Sequence, residues 1–86
     1  MKGAKNAKGA GVIVYSTPAC PYCHMAKEFL ASKGVAFEDV DVSSDRVAAE
    51  EMIRKSGFTG VPQIDIKGKI IVGFDREALE RELRFL

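Results

Sequence analysis

The sequence predicts an α/β domain in which a four-stranded mixed sheet carries helices on both faces. Two observations carry this prediction: short apolar runs alternate with segments of helical spacing, and the elements follow one another in the order βαβαββα. The opening βαβ unit implies a right-handed crossover and a parallel strand pair, and the closing hairpin adds antiparallel strands. A chain of 86 residues has room for one hydrophobic core, so a single domain is expected.

The first three elements follow from local patterns. Residues 11–16 (GVIVYS) are a β-branched run typical of a strand that is buried on both faces. Residues 17–19 break that strand, and residues 21–34 (PYCHMAKEFLASKG) have the apolar spacing of a helix that ends at its closing Lys-Gly. Partial alternation of apolar and acidic residues then predicts a second strand over residues 36–42.

The remaining elements are a helix, a hairpin and a last helix. Residues 43–45 offer capping side chains to a helix over residues 46–57, which ends at its glycine. The inward residues of that helix are predicted to be Ala48, Ala49, Met52 and Ile53. Strands Gln63–Ile66 and Lys69–Val72 are predicted to form a hairpin around a Lys-Gly turn. Asp75 caps a final helix with an apolar stripe that runs to Leu86.

Charge and hydropathy exclude several classes of protein. The net charge of +1, without a basic stripe, argues against a protein that binds nucleic acid or a membrane surface. Every apolar run is far shorter than the ~20 residues that span a bilayer, and too short for a signal-peptide core. We therefore expect a cytoplasmic monomer. Residues 1–10, rich in lysine, glycine and alanine, are expected to be a flexible extension, and residues 11–86 to form the domain.

The two cysteines of the chain, Cys20 and Cys23, are close neighbours in sequence. In a small chain without a signal peptide they indicate a reducing compartment and a working thiol pair. A disulfide that closes so short a loop constrains little unfolded chain and would stabilise the fold weakly. A zinc site needs further ligands, and His24 is badly placed beside Cys23, so no metal is expected. An iron–sulfur cluster shared between chains and a pair of inert thiols remain as alternatives.

The position of the pair favours thiol chemistry. Cys20 follows the first strand, and Pro21 occupies the first turn of the helix, where its missing N–H costs nothing. The free N–H groups of the helix start then point at the Cys20 sulfur and stabilise a thiolate. Cys20 is therefore the predicted nucleophile in disulfide exchange, and Cys23, buried one turn further along, is the resolving thiol. Tyr22, between them, either presents its ring to a bound substrate or fills the turn.

Two further segments are candidates for substrate binding. Pro62 opens a strand, and a cis bond before it would turn the backbone N–H and C=O of Val61 towards an extended thiol peptide. Pro62 is equally compatible with the plain start of an edge strand. Gly73 precedes a helix start and allows close approach of a ligand, and the N–H groups behind Asp75 are able to bind a carboxylate. A simple capped turn explains Asp75 as well.

Together these segments resemble the glutaredoxin family of the thioredoxin superfamily over residues 11–86. Cys20-Pro21-Tyr22-Cys23 is similar to the dithiol active site, and Val61-Pro62-Gln63 is similar to the cis-proline segment. Val72-Gly73-Phe74-Asp75 falls where the family holds the γ-glutamyl end of glutathione. The resemblance implies a thioredoxin-like fold and a cis Pro62. It also implies Cys20 as attacking thiol, Cys23 as resolving thiol and the Val61 backbone as glutathione clamp.

The sequence departs from the family pattern at three places. Thr17 stands where many glutaredoxins have a basic residue, and Gly60 stands where they have threonine. The Gly73-Phe74 pair is more similar to the glutaredoxin-like electron donors of ribonucleotide reductase, which thioredoxin reductase reduces. Glutathione as co-substrate, without a tightly bound cofactor, and thioredoxin reductase are therefore both expected partners, with disulfide-containing proteins as substrates. Lys55 and Gln63 are alternative sources of polar contacts to glutathione.

Overall fold

The computed structural model describes residues 11–84 as an α/β domain with the predicted element order. Its elements are β1 (Val12–Ser16), α1 (Pro21–Ser32), β2 (Glu38–Asp41), α2 (Arg46–Ser56), β3 (Gln63–Ile66), β4 (Lys69–Val72) and α3 (Arg76–Leu83). The predicted flexible extension, residues 1–10, and the last position of the apolar stripe, Leu86, lie outside the described residues. Within residues 11–84, none of the helices combines the length and the apolar composition needed to cross a membrane.

The four strands form one mixed sheet in the order β2-β1-β3-β4. Strand β1 pairs in parallel with β2 and antiparallel with β3, and β3 pairs antiparallel with β4, as the sequence predicts. The register sets Tyr15, near the end of β1, opposite Gln63, at the start of β3. The loop that follows β1 and the loop that precedes β3 therefore lie at the same end of these two neighbouring strands.

Side chains alternate between the two faces of the sheet, and helices cover both. On one face, strands β1 and β3 pack against α1 and α3 in a core of Val12, Val14, Ala26, Phe29, Leu30, Ile64, Ile66, Ile71 and Leu79. The intervening strand residues Tyr15 and Asp65 face the other way, where Lys55 of α2 bonds to both. The predicted helices on both faces are thus confirmed.

Two details of the sequence-based prediction are wrong. Strand β2 is Glu38–Asp41 rather than residues 36–42, because its register begins opposite Ile13 and Phe37 instead packs against the core. Ile53, predicted to point inward, is 39% exposed. Its neighbour Met52 fills the buried face of α2, and consecutive helical residues point in directions about 100° apart.

The predicted starts of α2 and α3 and the predicted end of α2 are confirmed, whereas α3 ends at Leu83. The carboxylate of Asp45 accepts a hydrogen bond from the Ala48 N–H at 3.0 Å, and that of Asp75 accepts one from the Ala78 N–H at 3.1 Å. Each satisfies an N–H group that the first turn of a helix leaves without a partner. Helix α2 ends at Gly57 in the left-handed conformation, with φ of 81°, which glycine adopts without steric cost.

Candidate active site

Cys20 is the N-cap residue of α1 and is partly exposed. Its backbone is extended, with φ of −95° and ψ of 112°, and its sulfur accepts a hydrogen bond from the Cys23 N–H at 3.2 Å. Pro21, at the first helical position, has no N–H to compete for that sulfur. The helix start therefore points a donor at Cys20, as the sequence predicts, and favours negative charge there.

Cys23 is in the opposite environment, with none of its surface exposed. Burial raises the pKa of the Cys23 thiol from an ordinary 9.0 to about 11, and its hydrogen bond with Cys20 acts in the same direction. A backbone hydrogen bond from Thr17 and the positive charge of Lys27 act in the opposite direction and are outweighed. Cys23 accordingly keeps its proton at neutral pH, which agrees with the predicted limit on its ionisation.

We expect Cys23 to titrate clearly above pH 9 in folded Cys20→Ser protein, where it is the sole cysteine, because burial is the largest cause of its raised pKa and is kept when the contributions of Cys20 are removed. The ¹³Cβ chemical shift of labelled cysteine measures this midpoint. The same variant unfolded in urea is the control and should titrate near 9. The pKa of Cys23 is higher in the folded protein than in the unfolded chain. Burial of the protonated thiol therefore contributes stability that is complete below pH 9 and is lost as the pH rises through 11. A folded midpoint near 9 would contradict this burial effect.

The segment before β3 faces Cys20. The Val61–Pro62 peptide bond is cis, as the family resemblance implies. The Val61 carbonyl oxygen lies 4.0 Å from Cys20 Sγ. Two sequence-predicted segments, 41 residues apart in the chain, are thus in contact.

The third predicted segment is only partly at the site. The Gly73 N–H donates to the Pro62 carbonyl at 2.8 Å, so this glycine, with φ of 84°, adjoins the cis-proline segment. The Phe74 ring instead packs edge-on against Phe29, with 6.0 Å between ring centroids. The Asp75 carboxylate is occupied in capping α3. Ligand-binding roles for Gly73, Phe74 and Asp75 remain predictions.

Two side chains of the first turn of α1 have different roles. Tyr22 is 61% exposed, so its ring does not fill the turn and is accessible to a bound substrate. His24 Nε2 lies 2.7 Å from the Pro18 carbonyl and donates to it in the matching tautomer. His24 therefore anchors the loop before Cys20.

Lys55 and Gln63, the alternative sources of contacts to glutathione, are both bonded within the fold. Gln63 has no exposed surface, and its amide nitrogen bonds to backbone carbonyls of the preceding loop. Lys55 Nζ lies 2.7 Å from an Asp65 carboxylate oxygen and 2.8 Å from the Tyr15 hydroxyl. Both side chains therefore already have partners within the fold.

Sequence reasoning missed a polar cluster beside Cys23. The Asp39 carboxylate forms an ion pair with Lys27 at 2.9 Å and accepts a hydrogen bond from the Ser16 hydroxyl at 2.8 Å. Lys27 lies four residues after Cys23 on α1, a spacing that brings two side chains to the same helix face. This four-residue separation is visible in the sequence and was the signal that Lys27 lies near Cys23. Among residues 11–84, His, Cys, Asp and Glu form no group of three or more suited to a metal ion.

The chain is similar in sequence and in structure to proteins described as glutaredoxins or glutaredoxin-like. The family model described as Glutaredoxin matches residues 12–71. Glutaredoxin 3 of Escherichia coli K12 is 47% identical over 66 residues, which cover 77% of this chain and 80% of that protein. The crystal structure of a glutaredoxin from Archaeoglobus fulgidus superposes with a TM-score of 0.81 at 28% identity, covering 92% of each chain. The glutaredoxin-like NrdH-redoxin of Escherichia coli has a TM-score of 0.74 at 27% identity, covering 81% of this chain and 91% of its own.

Proposed function

This chain belongs to the glutaredoxin family of the thioredoxin superfamily, and on that premise we propose that it reduces protein disulfides and glutathione mixed disulfides through Cys20 and Cys23. At the level of the family it is a glutaredoxin-like thiol oxidoreductase with the predicted thioredoxin-like fold. The observation that carries the finer proposal is the contrast between the two thiols. Cys20 is accessible and receives an N–H donor, whereas Cys23 is buried and protonated.

In the first step, the Cys20 thiolate attacks one sulfur of the substrate disulfide. A bond forms between Cys20 Sγ and that sulfur, the substrate S–S bond breaks, and the other sulfur leaves as a thiolate that takes a proton from water. The proximity of the Val61 carbonyl to Cys20 supports pairing of its backbone with the substrate as an added strand. The product of this step is a mixed disulfide on Cys20.

In the second step, Cys23 loses its proton and attacks Cys20 Sγ. The Cys20–Cys23 disulfide forms, the mixed disulfide breaks, and the remaining substrate sulfur leaves as a thiolate. The dithiol has then given two electrons to the substrate. A glutathione thiolate is an alternative attacking group, which leaves glutathione disulfide and the reduced protein when the mixed disulfide carries glutathione.

The proposed reductant is glutathione, as a co-substrate rather than a tightly bound cofactor. The alternative is thioredoxin reductase, in which case the protein is an electron carrier to a reductase. The Gly73-Phe74 pair favours the alternative, since it is more similar to the glutaredoxin-like electron donors of ribonucleotide reductase, which thioredoxin reductase reduces. So does the likeness to the NrdH-redoxin, whose structure is described as the basis of a thioredoxin-like activity profile.

The proposed setting is the cytoplasm, because a dithiol that acts as a reductant needs a compartment in which it is regenerated. The proposed partners are disulfide-containing proteins together with the reductant. The net charge of +1, which offers no excess of basic residues, supports a protein that binds neither nucleic acid nor membranes. A monomer is part of the same proposal.

Coupled oxidation of NADPH tests the proposal. One reaction contains glutathione and glutathione reductase, the other contains thioredoxin reductase, and both contain a small disulfide substrate. Turnover with glutathione supports the proposed function, and turnover only with thioredoxin reductase supports the alternative. Turnover with neither would overturn both. Visible absorbance after anaerobic purification, lost in Cys20→Ser, would instead indicate the iron–sulfur cluster left open by the sequence.

A further inference from the structure

Gln63 is a buried polar side chain at the first position of the central strand β3. None of its surface is exposed. Its Nε2 donates to the Phe58 carbonyl at 3.0 Å and to the Gly60 carbonyl at 2.8 Å. The amide must have this orientation, because a carbonyl oxygen is not able to donate to another carbonyl.

The other end of the Gln63 amide is unsatisfied. Its Oε1 is buried and has no hydrogen-bond partner among the described groups. A buried acceptor without a partner destabilises a fold, and an apolar side chain of the same length would remove that penalty. Stability by itself therefore does not explain a glutamine here, and its two donated bonds indicate another purpose.

Those two bonds hold the loop that leads to the thiol. Residues 57–62 connect α2 to β3 without regular structure, and Gly57 and Gly60 within them add backbone freedom. A bond from the Phe58 N–H to the Ser56 hydroxyl, at 3.0 Å, holds the far end of this loop. Gln63 holds the part that immediately precedes Val61.

The position of Val61 depends on that loop. Its carbonyl lies 4.0 Å from Cys20 Sγ, and its backbone is the edge against which a substrate peptide would lie. If this loop were mobile, it would lose conformational entropy each time a substrate bound, and that entropy loss would lower the affinity for substrate. A loop already held in position avoids that loss.

We propose that Gln63 is a positioning residue for disulfide exchange, which holds residues 58–61 so that the Val61 backbone is in place beside Cys20. Gln63 acts through the loop and does not touch the substrate. The inference rests on the proposed function and deepens it, since it assigns substrate affinity to a buried residue remote from the sulfur chemistry. The unsatisfied Oε1 is then a cost in stability that accompanies two functional bonds.

The test compares Gln63→Met with Ile64→Val in the NADPH-coupled assay, using a disulfide peptide as substrate. Methionine keeps the length but has no donor. Ile64, the next residue of β3, is equally buried and makes no side-chain hydrogen bond to the loop, so its shortening reports destabilisation alone. For Gln63→Met we expect KM to rise about tenfold, the size expected from losing one or two hydrogen bonds, with kcat within about twofold.

Two further readouts separate positioning from general damage. The rate at which iodoacetamide alkylates Cys20 should stay within about twofold of wild type, because that reagent needs no peptide clamp. The urea midpoint of Gln63→Met should fall no further than that of Ile64→Val. An unchanged KM, an equal rise in KM in Ile64→Val, or a parallel loss of Cys20 alkylation would overturn the proposal.

A measurement on the wild-type protein removes dependence on whether the variant folds. Gln63 is the only glutamine in the chain, so ¹⁵N labelling of glutamine alone identifies its side-chain amide signals. We expect slow exchange of both amide protons with solvent and through-bond couplings to the Phe58 and Gly60 carbonyls. Fast exchange without these couplings would overturn the proposal. Absence of turnover in the wild type would instead overturn the proposed function, and the couplings would still test the loop contacts.

Discussion

Replacement of Cys20 by serine is expected to abolish turnover with every disulfide substrate, by about 1000-fold or more, as removal of a nucleophile does in other covalent catalysts. A serine hydroxyl at the start of α1 still accepts the Cys23 N–H, so the fold is kept. It does not form a disulfide, and the buried, protonated Cys23 is not placed to replace it. The NADPH-coupled assay measures the loss.

Cys23→Ser is the matched control, because it makes the same replacement of sulfur by oxygen at the other cysteine, one helical turn further along α1. We expect this variant to keep activity towards glutathione mixed disulfides, where a second glutathione releases the product. It should lose most activity towards protein disulfides, where Cys23 is needed to break the mixed disulfide. The pattern would be contradicted if Cys20→Ser retained turnover, or if the two variants lost activity equally on both kinds of substrate.

The second large effect is on stability. Lys55→Met is expected to lower the free energy of unfolding by about 3 kcal/mol, because it leaves a buried carboxylate without its cation. The Asp65 side chain is 8% exposed, and its ion pair with Lys55 spans 2.7 Å. Burial lowers the pKa of Lys55, but hydrogen bonds to Asp65 and Tyr15 outweigh it and raise that pKa above its ordinary value. The lysine is therefore charged wherever the protein is folded near neutral pH.

Urea unfolding of three variants separates this buried pair from an ordinary ion pair. Lys69→Met breaks the exposed pair with Glu82 at 3.6 Å and should cost less than about 1 kcal/mol. The double variant Lys55→Met with Asp65→Leu should recover part of the stability lost in Lys55→Met, since apolar replacement of a buried pair is often neutral but Asp65→Leu also removes the acceptor of the Gly68 N–H at 2.7 Å. If Lys55→Met and Lys69→Met have equal effects, the buried pair has no special energetic role.

Much of the fold and part of the site follow from local sequence. Short stretches determine strand and helix because apolar periodicity and capping involve residues within one or two turns of each other. The environment of Cys20 is predictable for the same reason: the Cys23 N–H that faces its sulfur belongs to the same helix turn. The cis bond before Pro62 was an open alternative in the residues, and only the family resemblance favoured it.

Contacts between distant segments were decided by the tertiary structure alone. The amide side chain of Gln63 is able to bind a polar ligand. In the folded protein, however, Gln63 is buried in β3, between β1 and β4, and its amide donates to the preceding loop. Asp39 meets Ser16 and Lys27 only because β1 and β2 pair in parallel and α1 packs beside them. Sequence determines what each side chain is able to bond within its own element. Which partner it meets depends on how elements far apart in the chain pack, and no local pattern encodes that.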